Sequence, residues 1–198
     1  MVSKYEISRE TLMILPISEE KSLVYEMDQE ITVKRGTSEI VDDSCRFFGS
    51  SYLGRFEGTK KLVGFKYKAP IIIEESNEII FFPTASPRIK DCIWISLNNI
   101  KDYKKCEKQT TLIFRNNQAI TIPVSLGCVE NQILRATRLG AVLGKNKKHI
   151  KISRIWLIFF DIFDYLGFFW GLFYDIMEIC IGVLNSIKME NRGIKMKK

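Results

Sequence analysis

Apolar and polar positions alternate in short bursts at the start of the chain. TLMIL (11–15), SLVYEM (22–27) and EITVKR (30–35) predict three strands separated by polar turns. The period then lengthens. Ile40, Val41, Cys45 and Phe48 recur at the spacing of one helix face and predict a helix over about 38–49. Thr37 or Ser38 supplies its N-cap, Glu39, Asp42 and Asp43 favour the positive end of its dipole, and Gly49 stops it.

The middle returns to strand patterning. KLVGFKYK (61–68), PIIIE (70–74), EIIFFP (78–83) and CIWISL (92–97) predict strands, with Asn77 in the turn between the second and third. TTLIFRN (110–116) and AITIPVS (119–125) predict a hairpin about Asn116, Asn117 and Gln118. A closing helix follows near 126–143. Val129, Ile133, Ala136, Gly140 and Leu143 form its inner stripe, Arg135 and Arg138 lie off that stripe, and Gly144 ends it. The pattern predicts an α+β fold, a mostly antiparallel β domain over 1–144. Residues 145–198 read as a basic linker and a hydrophobic C-terminal helix.

Composition changes this picture in one respect. The net charge of +7 is unevenly spread: residues 1–43 carry −5, 44–68 carry +5, 69–144 carry +2 and 145–198 carry +5. A localised basic excess points to an anionic partner. Five scattered cysteines with no CxxC pair, and the single His149, do not supply the paired ligands of a structural zinc site. The N-terminus lacks the basic and apolar regions of a signal peptide, so reduced thiols in the cytoplasm are expected. No metal or cofactor is expected.

The basic excess begins inside DDSCRFFGSSYLGR (42–55). GSSYLGR has the two-glycine spacing of a phosphate loop, but Arg55 and Phe56 stand where a nucleotide hydrolase needs Lys and Ser or Thr. Ser50 and Ser51 lack the second glycine of a nucleophile elbow, and His149 sits in a cationic run rather than beside a nucleophile. The acid pair Glu74 and Glu75 reads as a solvated turn. No catalytic set emerges, which leaves binding. Arg46, Arg55, Lys60, Lys61, Lys66 and Lys68 share a stretch with one acid, Glu57, and with Ser50 and Ser51 they suit phosphate contacts. In the alternative, Phe47, Phe48 and Tyr52 are core aromatics at a helix end and the cations only solvate the face.

SCRFFGSSYLGR, preceded by Ile40, Val41 and Asp42, resembles the central motif of the ComK family of bacterial competence transcription factors. Further blocks follow in order: Lys68, Ala69, Pro70 and Ile71, then EIIFFPTASP (78–87), CIWIS (92–96), ITIPVS (120–125) and ENQILRAT (130–137). The resemblance runs over about 7–143. It implies an activator of DNA-uptake genes that reads paired A·T-rich boxes of double-stranded DNA, largely through the minor groove, as a homo-oligomer. It also implies a proteolytic adaptor that restrains the protein in the cytoplasm. The matched motif positions are Ser44, Cys45, Arg46, Phe47, Phe48, Gly49, Ser50, Ser51, Tyr52, Gly54 and Arg55. The expectation that Arg46, Arg55, Lys60 and Lys61 face DNA while the aromatics pack inward rests on their chemistry, not on the resemblance.

After about 143 the resemblance ends, and three readings of the tail stay open. Residues 155–187 are rich in apolar side chains, but Asp161 and Asp164 cost about 2.5–3.5 kcal/mol each in a membrane. The tail is then a span tethering a β-rich binding domain, an amphipathic helix with a wide apolar face, or an unselected read-through that truncates the family C-terminus.

Overall fold

The computed structural model describes the backbone of residues 1–166 and the side-chain surroundings of residues 1–146. The chain divides into two units, Met1–Asn146 and Lys147–Lys198. In the first, β1 (Thr11–Ser18), β2 (Lys21–Glu26) and β3 (Glu30–Val33) form an antiparallel meander, followed by helices α1 (Thr37–Phe47) and α2 (Tyr52–Val63). Strands β4 (Ile71–Glu74), β5 (Ile79–Pro83) and β6 (Trp94–Ser96) complete a six-stranded sheet of order β3-β2-β1-β6-β5-β4. The seam is β1 against β6, which pairs Met13 with Ile95 and Ile14 with Trp94. A second sheet, β7 (Ile100–Cys106), β8 (Gln109–Phe114) and β9 (Ala119–Ile122), precedes α3 (Leu126–Leu166).

The six-stranded sheet is covered on both faces, and strand alternation sorts its side chains accordingly. Ile14, Ile71, Ile73, Phe81 and Trp94 join Ile40, Val41 and Cys45 of α1 in one core cluster. Met13, Ile72, Ile80, Phe82, Ile93 and Ile95 join Leu112, Phe114 and Ile122 of the second sheet, with Val129, Ala136 and Leu139 of α3, in the other. Double burial explains why 71–73 and 79–82 are unbroken apolar runs rather than alternating ones. Buried Asn99 fixes the start of the second sheet against the first, donating from Nδ2 to the carbonyls of Arg9 and Thr11, each at 2.9 Å.

The α+β class and the antiparallel sheets match the sequence expectation; several local assignments need correction. The N-cap of α1 is Gly36, whose N–H donates to Glu39 Oε2 at 3.1 Å. A Cβ there would lie 2.6 Å from the Glu19 carbonyl, so the close approach demands glycine. Thr37 and Ser38 instead donate to the carbonyls of Cys92 and Pro87, tying α1 to the segment between β5 and β6. Gly49 ends α1 as expected, at φ 75°.

The strand expected over KLVGFKYK (61–68) does not form: 61–63 are the last residues of helix α2, which begins at Tyr52 inside the motif, and 64–68 are a loop. Ser51 accepts the Gly54 N–H at 3.1 Å as N-cap, and Gly64 closes the helix at φ 79°. Half-buried Tyr52 and Phe56 with buried Thr59 and Val63 make a narrow helical stripe, which outweighs the two-residue alternation of 61–68. Charged β7 was absent from the sequence expectation, because only Ile100 and Tyr103 turn partly inward. Helix α3 continues through Gly144: one interior glycine costs about 1 kcal/mol and does not by itself break a helix. Residues 167–198, most of the expected hydrophobic tail, lie outside the described residues. Among the described residues, no helix is long and apolar enough to cross a membrane.

Candidate nucleic-acid interface

The motif at 44–55 spans the end of α1, a tight turn and the start of α2. Its small and sulfur-bearing members are structural. Ser44 is fully buried; its Oγ donates to the Ile40 carbonyl at 2.7 Å and accepts the Ile7 N–H at 3.0 Å. Cys45 lies in the core, where burial pushes its thiol up to about 12. Burial likewise pushes Cys92 up to about 11, which keeps both thiols protonated and unreactive at neutral pH.

The aromatics do not all pack inward. Phe48 is half-buried against the α1-side core, and Tyr52 sets the edge of its ring on Trp94 at a centroid distance of 5.9 Å. Phe47 is 67% exposed and touches Phe48 edge-on. Adjacent helical residues point about 100° apart, so two neighbouring phenylalanines at a helix end cannot both face one core.

Asp42 joins the two helices. Its Oδ1 accepts the Tyr52 N–H at 2.8 Å and its Oδ2 accepts Arg46 Nε at 2.8 Å. Burial opposes its ionisation, but the Arg46 hydrogen bond and the Tyr52 N–H outweigh burial and hold the carboxyl below its usual range. The same contact raises the pKa of the Arg46 guanidinium.

The cations of the expected site fall into two groups. Arg46 is exposed but shares its charge with Asp42. Arg55 is drawn inward, with 15% of its side chain exposed; its Nη1 pairs with Glu75 Oε1 at 2.7 Å and its buried Nε has no hydrogen-bond partner. Glu75 thus belongs to an ion pair rather than to a freely solvated turn. Glu74 accepts the N–H groups of Ser76 and Asn77. Half-buried Ser50 and Ser51 line the turn, and Ser51 is committed to the cap. Lys60 sits 3.3 Å from Glu57. Lys61, Lys66 and Lys68 are exposed, and among the described residues no carboxylate lies within ion-pair distance of them.

Arg46 stands in the last turn of α1 and Arg55 near the start of α2, whereas Lys61 is in the last turn of α2 and Lys66 and Lys68 follow it; α2 is about 18 Å long. Of the six cations of the expected site, the three without an ion pair among the described residues therefore lie at its C-terminal end and in the following loop. Two residues that the sequence placed only as off-stripe cations belong to this end: Arg135 and Arg138 of α3 lie over the Phe65 ring, at 4.4 and 5.7 Å from its centroid. Among the described residues no cluster of His, Cys, Asp or Glu is placed to hold a metal ion.

Exposed lysines and arginines are thus displayed on an α+β scaffold with antiparallel sheets. Comparison with known proteins specifies the lineage. The family model described as ComK protein matches residues 2–148. The competence transcription factor of Bacillus subtilis (strain 168) is 36% identical over 142 residues, covering 70% of this chain and 74% of that protein. No solved structure matches the chain. The chain belongs to the ComK family.

Proposed function

We propose that this protein is a competence transcription factor, acting by binding double-stranded DNA rather than by catalysis. Family membership across 2–148, which takes in the whole α+β unit, carries the reading. Exposed lysines at 61, 66 and 68, without an ion pair among the described residues, supply a surface suited to phosphates. In this reading residues 1–144 hold the DNA-reading fold and 145–198 a basic linker and tail. The protein reads A·T-rich promoter boxes through the minor groove as a homo-oligomer in the cytoplasm, where a proteolytic adaptor limits its level. Arg55 has a positioning role, because its charge is spent on Glu75, and Arg46 reaches DNA only at the edge of the surface.

Competition binding tests the specificity. Fluorescence anisotropy of the full chain on a labelled duplex carrying two A·T-rich boxes is expected to show at least about tenfold better competition by unlabelled A·T-rich than by G·C-rich duplex. Equal competition by the two would reject sequence-selective reading.

A further inference from the structure

The loop between α2 and β4 is held unusually firmly for a surface segment. Left-handed residues bracket it, Gly64 at φ 79° and Lys68 at φ 45°. A lysine in that region is uncommon and persists only where its surroundings enforce it. Beyond it, Ala69 and Pro70 are buried, which anchors the exit. Within it, Phe65 is half-buried beneath Arg135 and Arg138, and Arg135 Nη2 donates to the Tyr67 carbonyl at 2.5 Å. The α3 arginines thus fix the loop by its ring and by its backbone.

What the fixed loop displays is the unusual part. Tyr67 is 80% exposed, the most exposed of the large apolar and aromatic side chains in the unit, and it stands between exposed Lys66 and Lys68. Arg138 adds a further exposed cation from α3, with no carboxylate at ion-pair distance among the described residues. The ring is presented between two exposed lysines, so a surface that covers it must also accept positive charge on both sides. A protein partner would need an acidic surface. A nucleic-acid groove offers both a polyanionic rim and apolar sugar and base edges for a ring.

We propose that residues 64–68 form a preorganised DNA-contacting loop, in which Lys66, Lys68 and Arg138 take backbone phosphates and the Tyr67 ring enters the groove. Phe65 and Arg135 act as positioning residues that hold the loop on α3. This proposal rests on the DNA-binding reading and centres it on the loop after α2 rather than on the motif arginines.

The test uses the full chain and the same labelled A·T-rich duplex, titrated at several salt concentrations. Tyr67→Ala removes an exposed side chain, so the fold is retained, which circular dichroism checks. It is expected to weaken binding about five- to tenfold with the salt dependence unchanged. The double variant Lys66→Ala with Lys68→Asn, the asparagine chosen to tolerate the left-handed backbone, is expected to make the slope of log affinity against log salt shallower by about 2. Lys104→Ala with Lys105→Ala on β7 is expected to change that slope little. Wild-type binding with both loop variants unaffected, or an equal loss from the β7 pair, overturns the loop assignment alone. Failure of the wild-type chain to bind any duplex overturns it together with the DNA-binding reading.

Discussion

Trp94→Ala is expected to lower the stability of the α+β unit by about 3–5 kcal/mol, the range for emptying a buried tryptophan or phenylalanine site. Trp94 is fully buried in β6, paired with Ile14 of β1 on one side and Pro83 of β5 on the other. It thus sits where the N-terminal meander joins the later strands, and its ring is also the floor on which Tyr52 rests. For a unit of this size the loss corresponds to about 6–20 °C in Tm, read by thermal or urea unfolding. The indole Nε1 has no hydrogen-bond partner. Trp94→Phe removes that orphan donor and leaves a smaller void, so less than half of the loss is expected. A Trp94→Ala protein that melts with the wild type would show that the seam between β1 and β6 does not hold the sheet together.

The second large effect concerns the hinge between α1 and α2. Asp42→Ala strips the Tyr52 N–H of its acceptor at the start of α2 and leaves Arg46 unpaired. A loss of about 1–3 kcal/mol is expected, with hydrogen exchange rising in α2 before the sheet. The pH dependence follows from the sign of the shift. Because the folded-state pKa of Asp42 lies below its unfolded value, its contribution is fully present above the unfolded carboxylate range, near pH 4. It fades as pH falls through the folded pKa. Asp42→Asn keeps an acceptor for Tyr52 but loses the charge. Its stability deficit at pH 7 is therefore expected to be smaller than that of Asp42→Ala and to shrink as pH falls below 4. A deficit that stays constant over that range would mean the carboxylate charge plays no part.

Much of the fold was legible because its central strands are buried on both faces. Runs such as 71–73 and 79–82 announce themselves whatever the neighbouring elements do. Helix α2 was hidden by its glycines and its thin stripe, although Tyr52, Phe56, Thr59 and Val63 follow helical spacing. Strand β7 was hidden because lysine-rich edge strands carry little apolar signal; such lysines also guard an edge against unwanted pairing. The site divides along the same line. Arg46 with Asp42 four residues earlier is a local helical pair, readable from spacing. Arg55 with Glu75, and Phe65 beneath Arg135 and Arg138, join segments 20 and about 70 residues apart, and only the folded chain brings them together. The motif that announces the family spans the turn between α1 and α2, with Ser44 and Cys45 buried in the core. Exposed Lys61, Lys66 and Lys68, which have no ion pair among the described residues, lie at or beyond the far end of the helix that the motif begins.

The salt dependence of DNA binding by the full chain tests the central claim most directly. Lys61, Lys66, Lys68 and Arg138 engaging phosphates predict a plot of log affinity against log salt with a slope of about −3.5 or steeper per bound protomer, at about 0.9 for each phosphate neutralised. Absence of duplex binding at low salt, or a slope near zero, would contradict the account.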